Sequence, residues 1–281
     1  KDKANDDQII GHFGLGFYSA FMVAEKITVE SRVYGVDEAF CWESEGADGY
    51  TITPCEKETA GTVITIYLKP DTDDERYSDY LEEYHLRSLI KKYSDYIRYP
   101  IRMLTEHSQL KDGSEDEYET VTEDETLNSM VPLWKKPASE VSDEEYAQFY
   151  QDKYYDYEAP LKVIRQKAEG TSTFEALMFI PAHAPYDYYS KDFEKGLQLY
   201  SSGVLIMEKC KDLLPDHFSF VRGLVDSSDL SLNISREMLQ QDRQLRIIAK
   251  ALEKKIASEL KKMLENEREK YEQFFKAFGA Q

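Results

Sequence analysis

The sequence predicts an α+β fold, in which an antiparallel β-meander precedes a longer region of mixed strands and helices. Four segments alternate apolar and polar side chains, are rich in β-branched residues and are separated by glycines: residues 26–34, 39–45, 50–55 and 62–68. Residues 244–278 repeat apolar side chains at helical spacing and predict a long C-terminal helix. These two periodicities occupy different parts of the chain, as in an α+β protein.

A glycine-rich run, GHFGLGF at residues 11–17, precedes the meander. Its glycines let the backbone reach positive φ, and the apolar spacing of Phe17 and Phe21 predicts a following helix. Such a loop turns several N–H groups toward one point and suits phosphate oxygens. The order G-x-x-G-x-G differs from the dinucleotide fingerprint, and no Lys-Ser/Thr follows, so a tight turn before a buried helix remains an alternative.

Residues 61–68 close the meander and have the strongest β character in the chain. Thr62, near the start of this strand, is also explained by strand propensity alone. The run TDDE at 72–75 fits a capping box, and apolar spacing predicts a helix over 80–97 that ends before Pro100. We expect the domain boundary near Pro100, which gives domains 1–100 and 101–281.

The second domain opens with a short predicted strand at 101–105 and an acidic stretch, whose centre at 111–117 predicts a solvated loop joining two strands. The run SDEE at 142–145 is a second capping box and begins a helix. Between 181 and 189, aromatic residues bracketed by prolines predict an exposed loop. Further strands are predicted at 161–166, 173–180, 197–207 and 218–225, with a helix near 211–217.

Composition excludes several classes of function. The net charge of −19 over 281 residues argues against binding nucleic acid, which needs a basic face. Cys41, Cys55 and Cys210 form no CxxC pair and are expected to be reduced thiols of a cytoplasmic protein. The sequence has neither a membrane-length apolar run nor a signal peptide, so we expect no membrane partner. Because it begins at Lys1 without Met, we expect a fragment.

Three stretches together resemble one family. They are the glycine run, the strand that begins Gly61-Thr62, and VRGLVDSSDLSLNISREMLQQ at residues 221–241. These stretches are similar to the heat-shock protein 90 chaperones, and the resemblance extends along nearly the whole chain. The lack of a long charged linker resembles the bacterial type of that family.

The resemblance implies that residues 1–100 are the back half of a nucleotide-binding (ATPase) domain, a partial Bergerat-type α/β sandwich. Residues 101–281 would be the larger part of an α/β/α middle domain. The implied cofactor is ATP with Mg²⁺, held in a site that the two domains share. The residues implied at this site are Gly11, Gly14, Leu15, Gly16 and Phe17 at the phosphates, Thr62 at the adenine pocket, and Arg236, Gln240 and Asn233 on the middle-domain loop.

Arg236 matches the arginine that reaches the γ-phosphate in the family when the domains close. A planar, permanently charged guanidinium stabilises the negative charge that develops during phosphoryl transfer. The alternative is a structural arginine at a helix start, bonded to a carboxylate such as Glu237, with Ser235 as the N-cap. The family's catalytic glutamate, its Mg²⁺-holding asparagine and its adenine-reading aspartate would lie upstream of Lys1, so no metal ligand is expected here.

In the family, this part of the middle domain offers aromatic surface to client proteins, which implies that Trp134, Tyr186 and Tyr188 bind clients, with Tyr189 a weaker candidate. Trp134 could equally pack within its own domain. His183, on the same loop, is expected to be a surface histidine. His12 stands where many relatives carry glutamine; its protonation could tune nucleotide affinity.

The resemblance therefore implies a cytoplasmic, ATP-hydrolysing chaperone of the stress response that binds unfolded or partly folded clients and cochaperones. In its full length it would be a homodimer through a C-terminal domain missing here. A second reading is that this stretch alone is a client- or cochaperone-binding module without ATPase activity. A third is another enzyme of the same nucleotide fold, such as a type II topoisomerase, a mismatch-repair ATPase or a histidine kinase. The net charge and the lack of a phosphoacceptor histidine helix disfavour that third reading.

Overall fold

The structure is a computed structural model that describes residues 15–110, 118–230 and 243–279, with the backbone alone at Leu15. Helices account for 34% and strands for 31% of it, which confirms the predicted α+β class. Contacts divide the chain into two compact units, Lys1–Ser88 and Leu89–Gln281.

The first unit is built on an antiparallel four-stranded sheet in the order β3-β2-β1-β4. A short helix, α1 (Leu15–Tyr18), and a 3₁₀ turn lead into it. The meander predicted from alternation is confirmed, because each predicted segment overlaps one strand. The strands are β1 (Ala24–Arg32), β2 (Ala39–Ser44), β3 (Thr51–Cys55) and β4 (Gly61–Leu68).

The helix predicted over 80–97 is interrupted. A 3₁₀ turn at Tyr77–Leu81 is followed by α2 (Glu83–Leu89) and a π-helical turn at Ile90–Ser94. Glu82 adopts an extended conformation (φ −82°, ψ 124°), which breaks the ladder between the first two elements. Thr72 does accept the N–H of Glu75 at 3.0 Å, but this contact closes a turn and starts no helix.

The second unit contains a hairpin and a mixed five-stranded sheet. Strands β5 (Arg102–Leu110) and β6 (Tyr118–Thr126) pair as predicted, and the loop 111–117 lies outside the described residues. The larger sheet has the order β10-β9-β11-β8-β7, with β9 and β11 parallel and the other pairs antiparallel. Its strands are β7 (Lys162–Ala168), β8 (Phe174–Ile180), β9 (Leu197–Ser201), β10 (Val204–Cys210) and β11 (Arg222–Asp226).

Helices cover both faces of this sheet. Along β8, Leu177 and Phe179 belong to the core beneath α3 (Asp143–Tyr154), whereas Met178 and Ile180 belong to the core beneath the C-terminal helices. The predicted capping box of α3 is present: Ser142 Oγ accepts the N–H of Glu145, and Glu145 accepts the N–H of Ser142. The second unit is thus an α/β/α layer structure.

Three local predictions for this unit are wrong. The segment 197–207 is not one strand, since positive φ at Ser202 (51°) and Gly203 (84°) turns it into the β9–β10 hairpin. The segment near 211–217 forms two 3₁₀ turns instead of a helix. The C-terminal helix breaks at Glu267, which separates α4 (Arg243–Asn266) from α5 (Arg268–Phe278); Lys162 and Lys270 both bind the Glu267 carboxylate there.

Candidate functional site

The predicted phosphate-binding residues are only partly described. Gly11 and Gly14, with His12, lie outside the described residues, whereas Leu15, Gly16 and Phe17 form α1. Among the described residues, no atom lies within 4 Å of a Cβ built on Gly16. The Gly16 carbonyl accepts the Ser19 hydroxyl at 2.6 Å, which closes the turn that follows.

Phe17 connects α1 to the sheet through an aromatic cluster. Its ring packs edge-on against Trp42, with centroids 5.5 Å apart, and Trp42 stacks on Tyr50 at 6.1 Å. Trp42 lies directly opposite Val29 of β1. Because directly opposed residues of an antiparallel pair point to the same side, Phe17 lies over the face of the sheet that carries Val29.

Thr62 lies on that same face. It pairs with Ser31, two residues along β1 from Val29, and the two hydroxyl oxygens are 3.0 Å apart. The next residues of β4 on this face, Ile64 and Ile66, are 52% and 43% exposed. The structure thus places Phe17 and Thr62 on one partly exposed, largely apolar face of the sheet. On this face, the Ser31 and Thr62 hydroxyls lie beside the isoleucines of β4.

This arrangement has the chemistry of a site for a planar heterocycle. Apolar side chains supply contact area for a ring, and a small number of placed hydroxyls can donate to or accept from its polar edge. Sequence reasoning found Thr62 but missed Ser31. Strand alternation marks the face on which a residue lies, but it does not reveal that β1 pairs with β4 in this register.

The residues implied on the middle-domain loop, Asn233, Arg236 and Gln240, lie outside the described residues, as does Ser235. The chain on both sides of them is described. Strand β11 ends at Asp226, and hydrogen bonds fix the residues that follow as far as Leu230. Helix α4 begins at Arg243, and its first buried side chain is Leu245.

The exposure expected of Trp134 is wrong. Its side chain is 2% exposed and packs against the rings of Tyr96 at 4.5 Å and Tyr200 at 5.5 Å. Its indole N–H donates to Asp226 at 3.2 Å. The alternative, a place in the core of its own domain, is the observed one, so Trp134 offers no surface to a client in this structure.

The aromatic loop at 181–189 divides between exposed and buried residues. Tyr186 is fully exposed and Tyr189 is 60% exposed, as predicted. Tyr188 is 2% exposed: it packs on Phe193 and Phe278, and its hydroxyl lies 3.0 Å from that of Ser219. The predicted exposure of Tyr188 is therefore wrong, and only its neighbours present aromatic surface.

His183 makes more side-chain contacts than an ordinary surface histidine. Its ring stacks on Tyr157 at 4.8 Å, and its two nitrogens lie 3.6 Å from Asp156 and 3.7 Å from Glu158. Within the described ranges, no group of three histidine, cysteine or acidic side chains is arranged to bind a metal ion.

Cys41, Cys55 and Cys210 are free, and burial raises the pKa of Cys210 to about 11. None of the helices in the described part of the chain is both long and apolar enough to cross a bilayer.

Lys153 is a half-buried cation that sequence reasoning missed. Its Nζ lies 5.6–5.7 Å from the ring centroids of Tyr96, Phe149 and Tyr200, and 3.3 Å from the Tyr200 hydroxyl. Burial lowers the pKa of Lys153 to about 8, and the negative charge of Asp95 opposes that shift. These rings also contact Trp134, so the lysine belongs to the same aromatic cluster.

Comparison with known proteins identifies the family to which the chain belongs. A family model described as Hsp90 protein matches residues 79–125 and 111–281, which together exceed half of the chain. The chain belongs to the Hsp90 family.

Similar curated proteins carry the name Chaperone protein HtpG. The protein from Bacillus subtilis is 58% identical over 273 residues, and those from Halalkalibacterium halodurans and Clostridium acetobutylicum are each 59% identical over 273 residues. Each alignment covers 97% of this chain and 44% of the relative. The chain therefore spans less than half the length of these relatives.

Proposed function

We propose that this chain is part of an ATP-dependent molecular chaperone that binds unfolded or partly folded proteins. Identity of 58–59% along 97% of the chain to proteins named as HtpG chaperones carries the proposal. The first unit supports the nucleotide-binding part, because Phe17 and Thr62 share one apolar face and no atom of the described residues crowds the Cβ position of Gly16.

We assign the first unit to the nucleotide-binding domain and the second to the middle domain of such a chaperone. The N–H groups of the glycine run, including Gly16, would hold phosphate oxygens, and Thr62 with Ser31 would contact the adenine edge. Residues 89–100 pack with the second unit: Tyr96 contacts Trp134, and Lys92 binds Glu208 at 2.6 Å. We therefore place the proposed functional boundary after Ser88, earlier than the boundary expected near Pro100.

Arg236 is the proposed catalytic group of the second unit. In the closed state its guanidinium would meet the γ-phosphate and stabilise the charge that develops as the phosphoryl group leaves. Gln240, four residues further along the sequence, would lie beside it. Mg²⁺ would accompany the nucleotide, but the described residues supply no cluster of ligands for it, so no step is assigned to the metal here.

Several properties of the whole protein belong to the same proposal. We expect it to be a cytoplasmic stress-response protein that acts as a homodimer and binds clients and cochaperones. In the second unit, the exposed rings of Tyr186 and Tyr189 are the surface that this chain offers to a client.

The kinetic test is Arg236→Ala in the complete protein. Because the proposed contact forms only in the closed state, the substitution should lower kcat for ATP hydrolysis and leave nucleotide affinity nearly unchanged. Arginine contacts of this type contribute on the order of 10³–10⁵ in rate in other NTPases, which is an upper guide. An ATP Kd that weakens at constant kcat would make Arg236 a ground-state binder and overturn the catalytic role.

The second reading concerns this stretch of chain alone. With the catalytic carboxylate implied upstream of Lys1, the 281-residue chain should bind clients through exposed aromatic residues and hydrolyse no ATP above background. Steady ATP turnover by this chain, abolished by Arg236→Ala, would contradict that reading.

A further inference from the structure

The side chain of Lys153, on α3, ends among three aromatic rings of the second unit. Its Nζ lies 5.6 Å from the ring centroids of Tyr96 and Phe149 and 5.7 Å from that of Tyr200. The same nitrogen donates to the Tyr200 hydroxyl at 3.3 Å. Among the described residues, no carboxylate forms an ion pair with it. The amine therefore lacks the opposite charge that usually accompanies a cation removed from water.

The three rings around Lys153, which we call the aromatic cage, come from three different elements. Tyr96 lies between α2 and β5, and its ring packs against that of Tyr200 on β9, with centroids 5.8 Å apart. Phe149 lies one helical turn before the lysine on α3 and stacks on Phe179 at 6.1 Å. Each ring thus has packing partners besides the lysine, so the cage is part of the packed interior.

The cage disfavours the ammonium form of Lys153, because burial removes water from the charge and the rings offset only part of that loss. Burial lowers the pKa of Lys153 to about 8, and the negative charge of Asp95 opposes the shift. Burial also raises the pKa of Tyr96 and of Tyr200, so both hydroxyls are neutral where the lysine titrates. Near pH 8 about half of Lys153 is therefore free amine, whereas the fraction is below about 1% for an ordinary exposed lysine.

Lys153 is also partly exposed, so a small reagent in solution can reach its side chain. A neutral amine is a nucleophile, whereas an ammonium group has no lone pair with which to attack. We propose that Lys153 is an acylation site of this protein, modified by small acyl phosphates without the help of an enzyme. This inference is independent of the proposed ATPase function.

The reaction is a transfer of the acyl group from phosphate to nitrogen. The lone pair of Nζ attacks the carbonyl carbon of the acyl phosphate, and a C–N bond forms. The C–O bond to the phosphate breaks, so inorganic phosphate leaves with the bonding electrons, and the proton of the amine passes to water. The product is a neutral amide, which has no charge to desolvate and keeps an N–H that can donate to the Tyr200 hydroxyl.

The test exposes the complete protein to acetyl phosphate and follows acetylation of individual lysines by mass spectrometry, from about pH 7 to about pH 10. The matched control is Lys250, an exposed lysine of α4. The same measurement in guanidinium chloride removes the cage and keeps the local sequence. A variant, Gln198→Glu, adds a negative charge beside the cage with little change of shape, since Gln198 accepts the Tyr200 hydroxyl at 3.4 Å.

Near pH 8, Lys153 of the folded protein should react about tenfold faster than Lys250, because its larger fraction of free amine outweighs its partial burial. Its rate should level off at higher pH, whereas that of Lys250 should keep rising about tenfold per pH unit. Gln198→Glu should slow the reaction of Lys153 and leave that of Lys250 unchanged, because a nearby negative charge favours the ammonium form. In the unfolded protein the two lysines should react at equal rates.

Three results would overturn the inference. The first is equal rates for Lys153 and Lys250 in the folded protein near pH 8. The second is a rate for Lys153 that rises toward high pH as steeply as that of Lys250. The third is an advantage of Lys153 that persists in guanidinium chloride, which would assign the reactivity to the local sequence and not to the cage. If Gln198→Glu does not fold, the pH profile of the unsubstituted protein decides the question.

Discussion

The hydroxyls of Ser31 and Thr62 lie 3.0 Å apart on neighbouring strands, on the same apolar face that Phe17 covers through Trp42. We expect Thr62→Val to weaken ATP binding by the complete protein about tenfold, because it removes one of the two hydroxyls proposed to contact the adenine edge. Isothermal titration calorimetry measures the change in Kd.

Thr65→Val is the matched control for this prediction. It changes the same strand in the same way, but Thr65 pairs with Thr28 and points to the opposite face of the sheet. Its ATP Kd should equal that of the unsubstituted protein. Equal effects of the two valine substitutions would show that strand stability, and not a nucleotide contact, explains the result.

Tyr186 is the fully exposed aromatic side chain of the loop at 181–189, and we expect it to contact clients. Tyr186→Ala should weaken binding of a partly folded client protein by about 1 kcal/mol, without lowering the unfolding temperature. Tyr118→Ala removes another exposed tyrosine of the second unit, on β6, and should leave client affinity unchanged. Fluorescence anisotropy with a labelled client measures the affinity of each variant. If the two variants bind the client equally well, Tyr186 is not part of the client-binding surface.

Lys153 makes the stability of the second unit depend on pH. Its folded-state pKa, about 8, lies below the ordinary value of 10.5, so the unfolded chain holds the proton more tightly. The free energy of unfolding should therefore rise between pH 8 and 10 as the folded lysine loses its charge. Below pH 8 the full cost of burying the ammonium remains, offset in part by the three aromatic rings.

Lys153→Met tests the predicted direction of this pH dependence. At pH 7 the variant should be more stable by about 2 kcal/mol, an advantage that narrows toward pH 10. Lys250→Met, at an exposed position on α4, is the control and should show no such trend. Urea unfolding at several pH values gives both curves, and a Lys153→Met advantage that does not change with pH would contradict the account.

Gly223 has no room for a side chain. Its φ is +149°, and a Cβ there would lie 2.7 Å from Met178 Cα on the neighbouring strand β8. Gly223→Ala should cost about 3 kcal/mol in the free energy of unfolding. Gly170, at φ +125°, has nothing within 4 Å of its Cβ position, so Gly170→Ala isolates the backbone cost alone, about 1–2 kcal/mol. Equal losses in denaturant unfolding would mean that the strand contact does not matter.

Local pattern was sufficient to predict much of the fold. The β-branched alternation of residues 62–68 produced β4, and the Ser142–Glu145 capping box began α3. The break at Glu267 was not predictable from local pattern, because it lies at a contact between residues that are far apart in sequence. Glu267 interrupts the C-terminal helix where Lys162, more than a hundred residues earlier, binds its carboxylate. The amphipathic spacing continues across that break, so the sequence suggested one helix.

The candidate site was predictable only in part, for the same reason. Thr62 was found through a resemblance, whereas Ser31, its partner across β1 and β4, has no local signal. Trp134 was expected to contact clients because of the family resemblance. Its neighbours in the structure are distant in sequence: Tyr200 packs on its ring, and Asp226, 92 residues further along the chain, accepts its indole N–H.

The most direct measurement of the central claim is a structure of the complete protein in its closed state, bound to a non-hydrolysable ATP analogue. We predict that the guanidinium of Arg236 lies within hydrogen-bonding distance, roughly 3 Å, of a γ-phosphate oxygen. Backbone N–H groups of the glycine run should contact the same phosphate chain. A closed, nucleotide-loaded structure in which Arg236 lies far from the γ-phosphate would contradict this prediction.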